Sequence, residues 1–248
     1  MQLLPQTISK LKGFKEWFDT LSLHESQLVL GLSGSVKHLA ESCAFEKLDK
    51  QLVIVTPTLL QATQTYEELS EWYDEDIVHL FPVEESLAAD FSVVSPDVVS
   101  QRIRTLDFLS RGQKGIVIVP LSGIQKLLVP VDVWKKSSIE LAMGSEIESM
   151  DAFVEQLVEL GYRRENMVAT PGEFALRGSI VDIYPLDQEY PLRLDFFDTE
   201  VDSIRAFNAE TQRSMDVVNV VRILPATDLP LQKEAVWKAQ AKIHALYE

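Results

Sequence analysis

The chain has 248 residues, enough to bury one or two cores, and its 46% hydrophobic and 25% charged content marks a globular protein rather than a disordered or fibrous one. Its net charge of −15 argues against a surface built to neutralise phosphates and suits a partner with a positive surface. A lone cysteine, Cys43, excludes an internal disulfide. No apolar run approaches the roughly 18 residues of a membrane span, and the first residues lack a signal-peptide pattern, so the expectation is a cytoplasmic protein without membrane association.

Residues 7–21 carry Ile8, Leu11, Phe14, Trp17, Phe18 and Leu21 at spacings of three and four, which predicts an amphipathic helix. Residues 27–32 (QLVLGL) read as a short apolar strand, and residues 36–45 as a helix in which Cys43 is packed. A strand at 52–56 (LVIVT) ends at Pro57. A helix over 58–73 follows, with Leu59, Ala62, Tyr66, Leu69 and Tyr73 on one side. Residues 77–81 read as a strand. Ser95 is a good N-cap with Pro96 at the first helical position, and Gly112 ends that helix. Residues 116–119 (IVIV) form another buried strand, closed by Pro120. Apolar strands alternating with helices predict parallel pairing and a sheet covered on both faces, a doubly wound α/β domain.

The pattern then changes. Residues 129–138, with Pro130, Trp134 and two lysines, read as a linker. A short strand at 139–143 precedes a helix over 150–160, capped by Ser149 and stopped by Gly161, with Phe153, Leu157 and Leu160 inward. Three runs then alternate with period two, at 174–184, 192–197 and 201–207; the last two are joined by the polar turn Asp198-Thr199-Glu200. A final strand is expected at 217–224, ending at Pro225. This second unit reads as a smaller α+β domain with an antiparallel sheet. The expected domains are 1–137, 138–225, and a return segment at 226–248 whose helix over 231–248 has nothing after it to pack against.

Between the strand at 27–32 and the next helix lies Gly31-Leu32-Ser33-Gly34-Ser35-Val36-Lys37-His38, the place for a Walker A loop. Gly31 and Lys37 match the pattern, and Gly34 adds a glycine to the turn. Val36 stands where the second glycine belongs, and a stiff β-branched residue crowds a loop that must wrap phosphate. His38 replaces the hydroxyl that holds Mg²⁺, and imidazole is a poor ligand for a hard cation. The residues therefore suggest a vestigial phosphate loop, Gly31, Gly34 and Lys37, with a degenerate nucleotide-binding or hydrolysing site as the alternative. His24, His38, His79 and His244 lack zinc-ligand spacing, and Ser35 spoils the nucleophile elbow that the same loop suggests. Glu84, Glu85, Asp195, Asp198, Glu200 and Asp202 read as solvated acids. The expectation is no catalytic residue, no metal and no cofactor.

The run at 192–197 places Leu192, Leu194 and Phe196 on one face and Arg193, Asp195 and Phe197 on the other. A core explains the first trio. The second has two readings: a solvated sheet face with one exposed aromatic, or a protein-binding patch, since arginine and aromatics dominate interface hot spots. Arg177 joins that face if its strand is a neighbour.

GEFALRGSIVDIYP followed by PLRLDFFDTEVDSIRAFNAETQRS resembles the signature of the transcription-repair coupling factor family (Mfd), in its N-terminal module, which is itself similar to the repair protein UvrB. The match is weaker over residues 1–135, where the order of elements still fits. The resemblance implies an ATPase-like domain without motor motifs, followed by a UvrA-binding domain. It implies a non-catalytic module that recruits UvrA to sites of stalled RNA polymerase. The family's ATP-dependent DNA translocase lies further along the chain, and RNA polymerase and DNA are engaged only through that remainder. Contact with other domains of the full-length protein implies a repressed state. The family's UvrA-contacting positions map onto Arg177, Arg193 and Phe197. Each arginine is suited to pair with a UvrA carboxylate as a planar fork, with Phe197 filling a pocket. Direct DNA binding, as in UvrB, is disfavoured by the acidic balance and by the little chain left for a DNA-gripping hairpin.

Overall fold

The computed structural model describes residues 12–21, 26–83 and 95–230. The chain divides into two compact units, residues 1–92 with 111–126, and residues 93–110 with 127–248.

In the first unit, a helix at Lys12–Thr20 lies within the predicted 7–21 segment, and a helix at Ser35–Leu48 leads to β1 (Leu52–Thr56). The helix Leu59–Ser70 follows, its start fixed by the Thr58 hydroxyl, which accepts from the Gln61 amide at 3.3 Å. Next come β2 (Val78–Leu80) and, after an excursion into the second unit, β3 (Ile116–Pro120). The three strands are parallel in the order β1-β3-β2, as alternating strands and helices predict. β3 sits in the middle and is buried throughout, which is why its sequence is continuously apolar. Ala62 and Leu69 from the helix pack with Ile54, Leu80, Ile116 and Ile118 to make the core.

One expectation fails here. Residues 27–32 are not a strand, and Leu28 and Leu30 are exposed. An apolar run specifies burial only where a neighbouring strand takes up its hydrogen bonds, and none of the described strands does. At the edge strand β1, Val53 and Val55 are 50% and 46% exposed, whereas Val117 and Val119 of β3 are buried. The helix Leu59–Ser70 packs on the face carrying Ile54. The predicted helix at 231–248, together with His24, Glu84, Glu85 and His244, lies outside the described residues.

The second unit opens with the helix Pro96–Arg111, which begins at Pro96 as the sequence predicts. Its polar side chains bond within the second unit: Asp107 accepts from Arg222 at 2.6 Å, Arg102 pairs with Asp228, and the Ser100 hydroxyl donates to the Leu186 carbonyl. The expected linker holds a helix, Val131–Lys136, with Trp134 buried. Pro130 presets its entry, while Asp132 in the first turn and Lys135 and Lys136 in the last suit the helix dipole.

β4 (Ile139–Ala142) precedes the helix Met150–Glu159, where the Ser149 hydroxyl accepts from the Ala152 amide at 3.1 Å. Then come β5 (Arg163–Arg164), β6 (Glu173–Arg177), β7 (Ile180–Ile183), β8 (Leu192–Phe197), β9 (Glu200–Phe207), β10 (Ser214–Val217) and β11 (Val220–Ile223). A six-stranded sheet runs β10-β9-β8-β7-β6-β5, antiparallel except for β5 with β6, and β11 pairs antiparallel with β4. Phe153 and Leu157 from the helix pack on Phe174, Val181, Leu194 and Ile204 from the sheet. The run at 174–184, expected as one strand, is the hairpin β6-β7, turning at Gly178 with φ of 63°. The run at 217–224 belongs to two strands, β10 against β9 and β11 against β4.

Candidate functional site

The pleat of β8 sends Leu192, Leu194 and Phe196 into the core and Arg193, Asp195 and Phe197 to the opposite face. Pairing register builds a row across that face. Ala175 of β6 lies opposite Asp182 of β7, which lies opposite Arg193, which lies opposite Arg205 of β9.

Asp182 has no solvent exposure. Arg193 grips it as a fork, Nε donating to Oδ1 at 2.7 Å and Nη2 to Oδ2 at 2.9 Å. Arg177 Nη2 also donates to Oδ2. Two arginines from non-adjacent strands thus meet on one carboxylate of the strand between them. The hydrogen bond to Asp182 raises the Arg193 pKa, against the opposing effect of burial. The Arg193 guanidinium also lies over the Phe207 ring, 4.6 Å from its centroid. Its side chain keeps 21% exposure, and that of Arg177 keeps 49%.

This face is only half solvated. Val168, Ala175 and Phe207 form a small second core on it, with Tyr184 partly buried alongside. The loop bearing Val168 is held by Glu173, whose Oε2 accepts from the Ala169 and Thr170 amides at 2.9 Å each. Burial alone would raise the Glu173 pKa, but those amides and the Arg163 charge bring it below its ordinary value.

Phe197 is 80% exposed. It lies on the same strand face as Arg193, roughly 13 Å further along by strand rise. It pairs with Glu200 beside the turn, where Asp198 takes φ of 57°. A bulge between Asp195 and Phe196 bends the ladder just before it.

Of the three residues singled out from sequence, Arg177 and Arg193 are brought together and Phe197 shares their face at a distance. Sequence reasoning missed Asp182 and Phe207. The available signal was the acid inside IVDI, flanked by apolar residues on both sides. The fork expected for a partner is already engaged by Asp182, so Arg193 retains the donors on Nη1 and the outer proton of Nη2.

The degenerate loop keeps its turn, Gly31 at φ of 85° and Gly34 at 57°. Lys37 Nζ lies 3.7 Å from Glu41, and His38, nearly buried, is 2.9 Å from Glu41 and 3.7 Å from Glu68. The carboxylates of Glu41 and Glu68 thus engage Lys37 and His38 in the first turn of the helix Ser35–Leu48, where a phosphate site needs free positive charge. Among the described residues no group of three acids, histidines or cysteines is placed to hold a metal ion. No helix among them is long and apolar enough to cross a membrane.

A family model described as the UvrB interaction domain matches residues 139–229. A transcription-repair-coupling factor from Staphylococcus epidermidis (strain ATCC 35984) is 42% identical over 246 residues, covering 99% of this chain and 21% of that protein. One from Bacillus subtilis (strain 168) is 40% identical over 224 residues, covering 89% of this chain and 19% of that protein. One from Staphylococcus aureus (strain USA300) is 41% identical over 221 residues, with the same shares of 89% and 19%. The chain spans about a fifth of the length of the curated relatives it matches. On these matches the chain belongs to the transcription-repair-coupling factor family, and its second unit carries that family's UvrB interaction domain.

Proposed function

We propose that this chain is a non-catalytic recruitment module of transcription-coupled DNA repair, which binds UvrA through Arg177, Arg193 and Phe197. The observation that carries the reading is an exposed phenylalanine on the same strand face as two arginines already held in place. Interface hot spots combine aromatic and arginine anchors in this way, with the ring excluding water around the charges. The UvrB interaction domain match and the named relatives support the same partner class.

The phosphate loop, in this reading, is vestigial. Lys37 faces Glu41 rather than an open anion cradle, which supports loss of nucleotide chemistry. Contacts with RNA polymerase and DNA, and any translocase, belong to the remainder of a longer protein, as does the partner of an autoinhibitory contact. A boundary near residue 137 and a return segment after 225 remain part of the proposal, as does a cytoplasmic setting.

The test is a titration of the chain against purified UvrA. Arg193→Ala and Phe197→Ala should each weaken binding by about 1–4 kcal/mol while the circular dichroism of the fold is kept. Unchanged affinity in both folded variants would remove the site.

A further inference from the structure

The recruitment reading names three contact residues but leaves out the group that arranges two of them. A fully buried carboxylate is costly unless its oxygens are satisfied, and Asp182 receives three donations, two from Arg193 and one from Arg177. As a stabilising device such a buried ion cluster is weak, since apolar residues of similar volume fill such places at least as well. Its distinctive product is geometry. Asp182 fixes one edge of the Arg193 guanidinium, and the Phe207 ring lies against its face. The second guanidinium is drawn to the same oxygen, Oδ2, so both arginines converge on one point of the sheet. Two guanidiniums against one carboxylate leave one positive charge uncompensated within the cluster.

From this we infer that Asp182 is a positioning residue, which presets Arg177 and Arg193 as a single cationic contact for an acidic group on the partner. The inference rests on the recruitment reading for the identity of that partner. Arg193 presents its end, Nη1 with the outer proton of Nη2, and not the Nε side, which Asp182 occupies. An arginine is rich in rotamers, and presetting two of them spares the complex the ordering that binding would otherwise require.

The experiment has two readouts on the 248-residue chain. The first is the Arg193 Nε–H resonance, which should be resolved and protected from water exchange in the wild type and lose protection in Asp182→Asn. The second is affinity for UvrA. Asp182→Asn, folded by circular dichroism, should bind roughly tenfold more weakly. In an Arg193→Ala background the same change should add a much smaller loss, because part of what it positions is gone. A purely structural Asp182 would lower the melting temperature and leave both the affinity and this coupling unmoved. Unchanged affinity in folded Asp182→Asn, or an equal loss in the two backgrounds, overturns the proposal. So does rapid exchange of the wild-type Nε–H, a result that needs no folded variant. If the wild type fails to bind UvrA, the recruitment reading falls, while the Nε–H signal still decides whether Asp182 holds Arg193.

Discussion

Leu194 and Phe197 stand on the same strand under opposite constraints. Leu194 is wholly buried in the core of the second unit, whereas Phe197 keeps most of its surface in water. Leu194→Ala should therefore cost about 2–5 kcal/mol of stability, from lost transfer and the cavity left behind. Phe197→Ala should change stability by no more than about 0.5 kcal/mol, because it removes almost no buried area. Urea midpoints of the two variants check this. A large loss in Phe197→Ala would make that ring a packing residue and not a contact. Both placements, one buried and one exposed, were legible in the sequence, because a period of two assigns faces without knowledge of neighbours. Asp182 was not, because its partners depend on register. The turn at Gly178 brings it near Arg177, and the separate pairing of β7 with β8 sets it opposite Arg193.

At the scale of elements, the hairpin β6-β7 shows why one apparent strand became two. The run at 174–184 has one glycine, Gly178, and its positive φ reverses the chain so that Phe174 pairs with Ile183. Alternation survives on both sides of the turn, so periodicity alone reads straight through it. The expected linker concealed a helix for a related reason: six residues are too few for a periodic signal, and Trp134 reads as buried only once its neighbours are known. The loop that covers Ala175 and Phe207 yields a prediction about pH. Glu173 has a folded pKa below its ordinary value near 4.5. Its contribution is therefore present above that ordinary value and is lost as pH falls through the lower, folded one. Glu173→Gln should remove the pH-dependent part and cost about 1–3 kcal/mol, since two amides donate to its carboxylate. Protection of the Ala169 and Thr170 amides, taken relative to intrinsic exchange at the same pH, should fall in the variant and, in the wild type, at low pH. Unchanged protection would mean that the loop is held without Glu173, by Val168 and by the Gln212 amide that donates to its carbonyl.

For the molecule as a whole, the alternation of strands and helices correctly gave a parallel α/β unit followed by an antiparallel α+β one. Chain order is silent on the ion pairs of the helix Pro96–Arg111. Its buried Arg102 and Asp107 find their partners, Asp228 and Arg222, in segments more than a hundred residues away, beyond any local pattern. A fragment limited to residues 139–229, the span of the UvrB interaction domain match, keeps Arg222 and Asp228 but loses that helix. It should be less stable than a fragment that begins at residue 95, by about 3–5 kcal/mol, because one member of each ion pair is removed. Thermal melting of the two fragments would show it, and equal midpoints would deny the helix its place in the second unit. The central claim concerns the arginine face, and the most direct measurement is calorimetric titration of this chain with purified UvrA, with Arg193→Ala and Phe197→Ala in parallel. The account predicts binding by the wild type and roughly five- to a thousandfold weaker binding by each folded variant. Wild-type affinity in both variants, or no binding by the wild type, would contradict it.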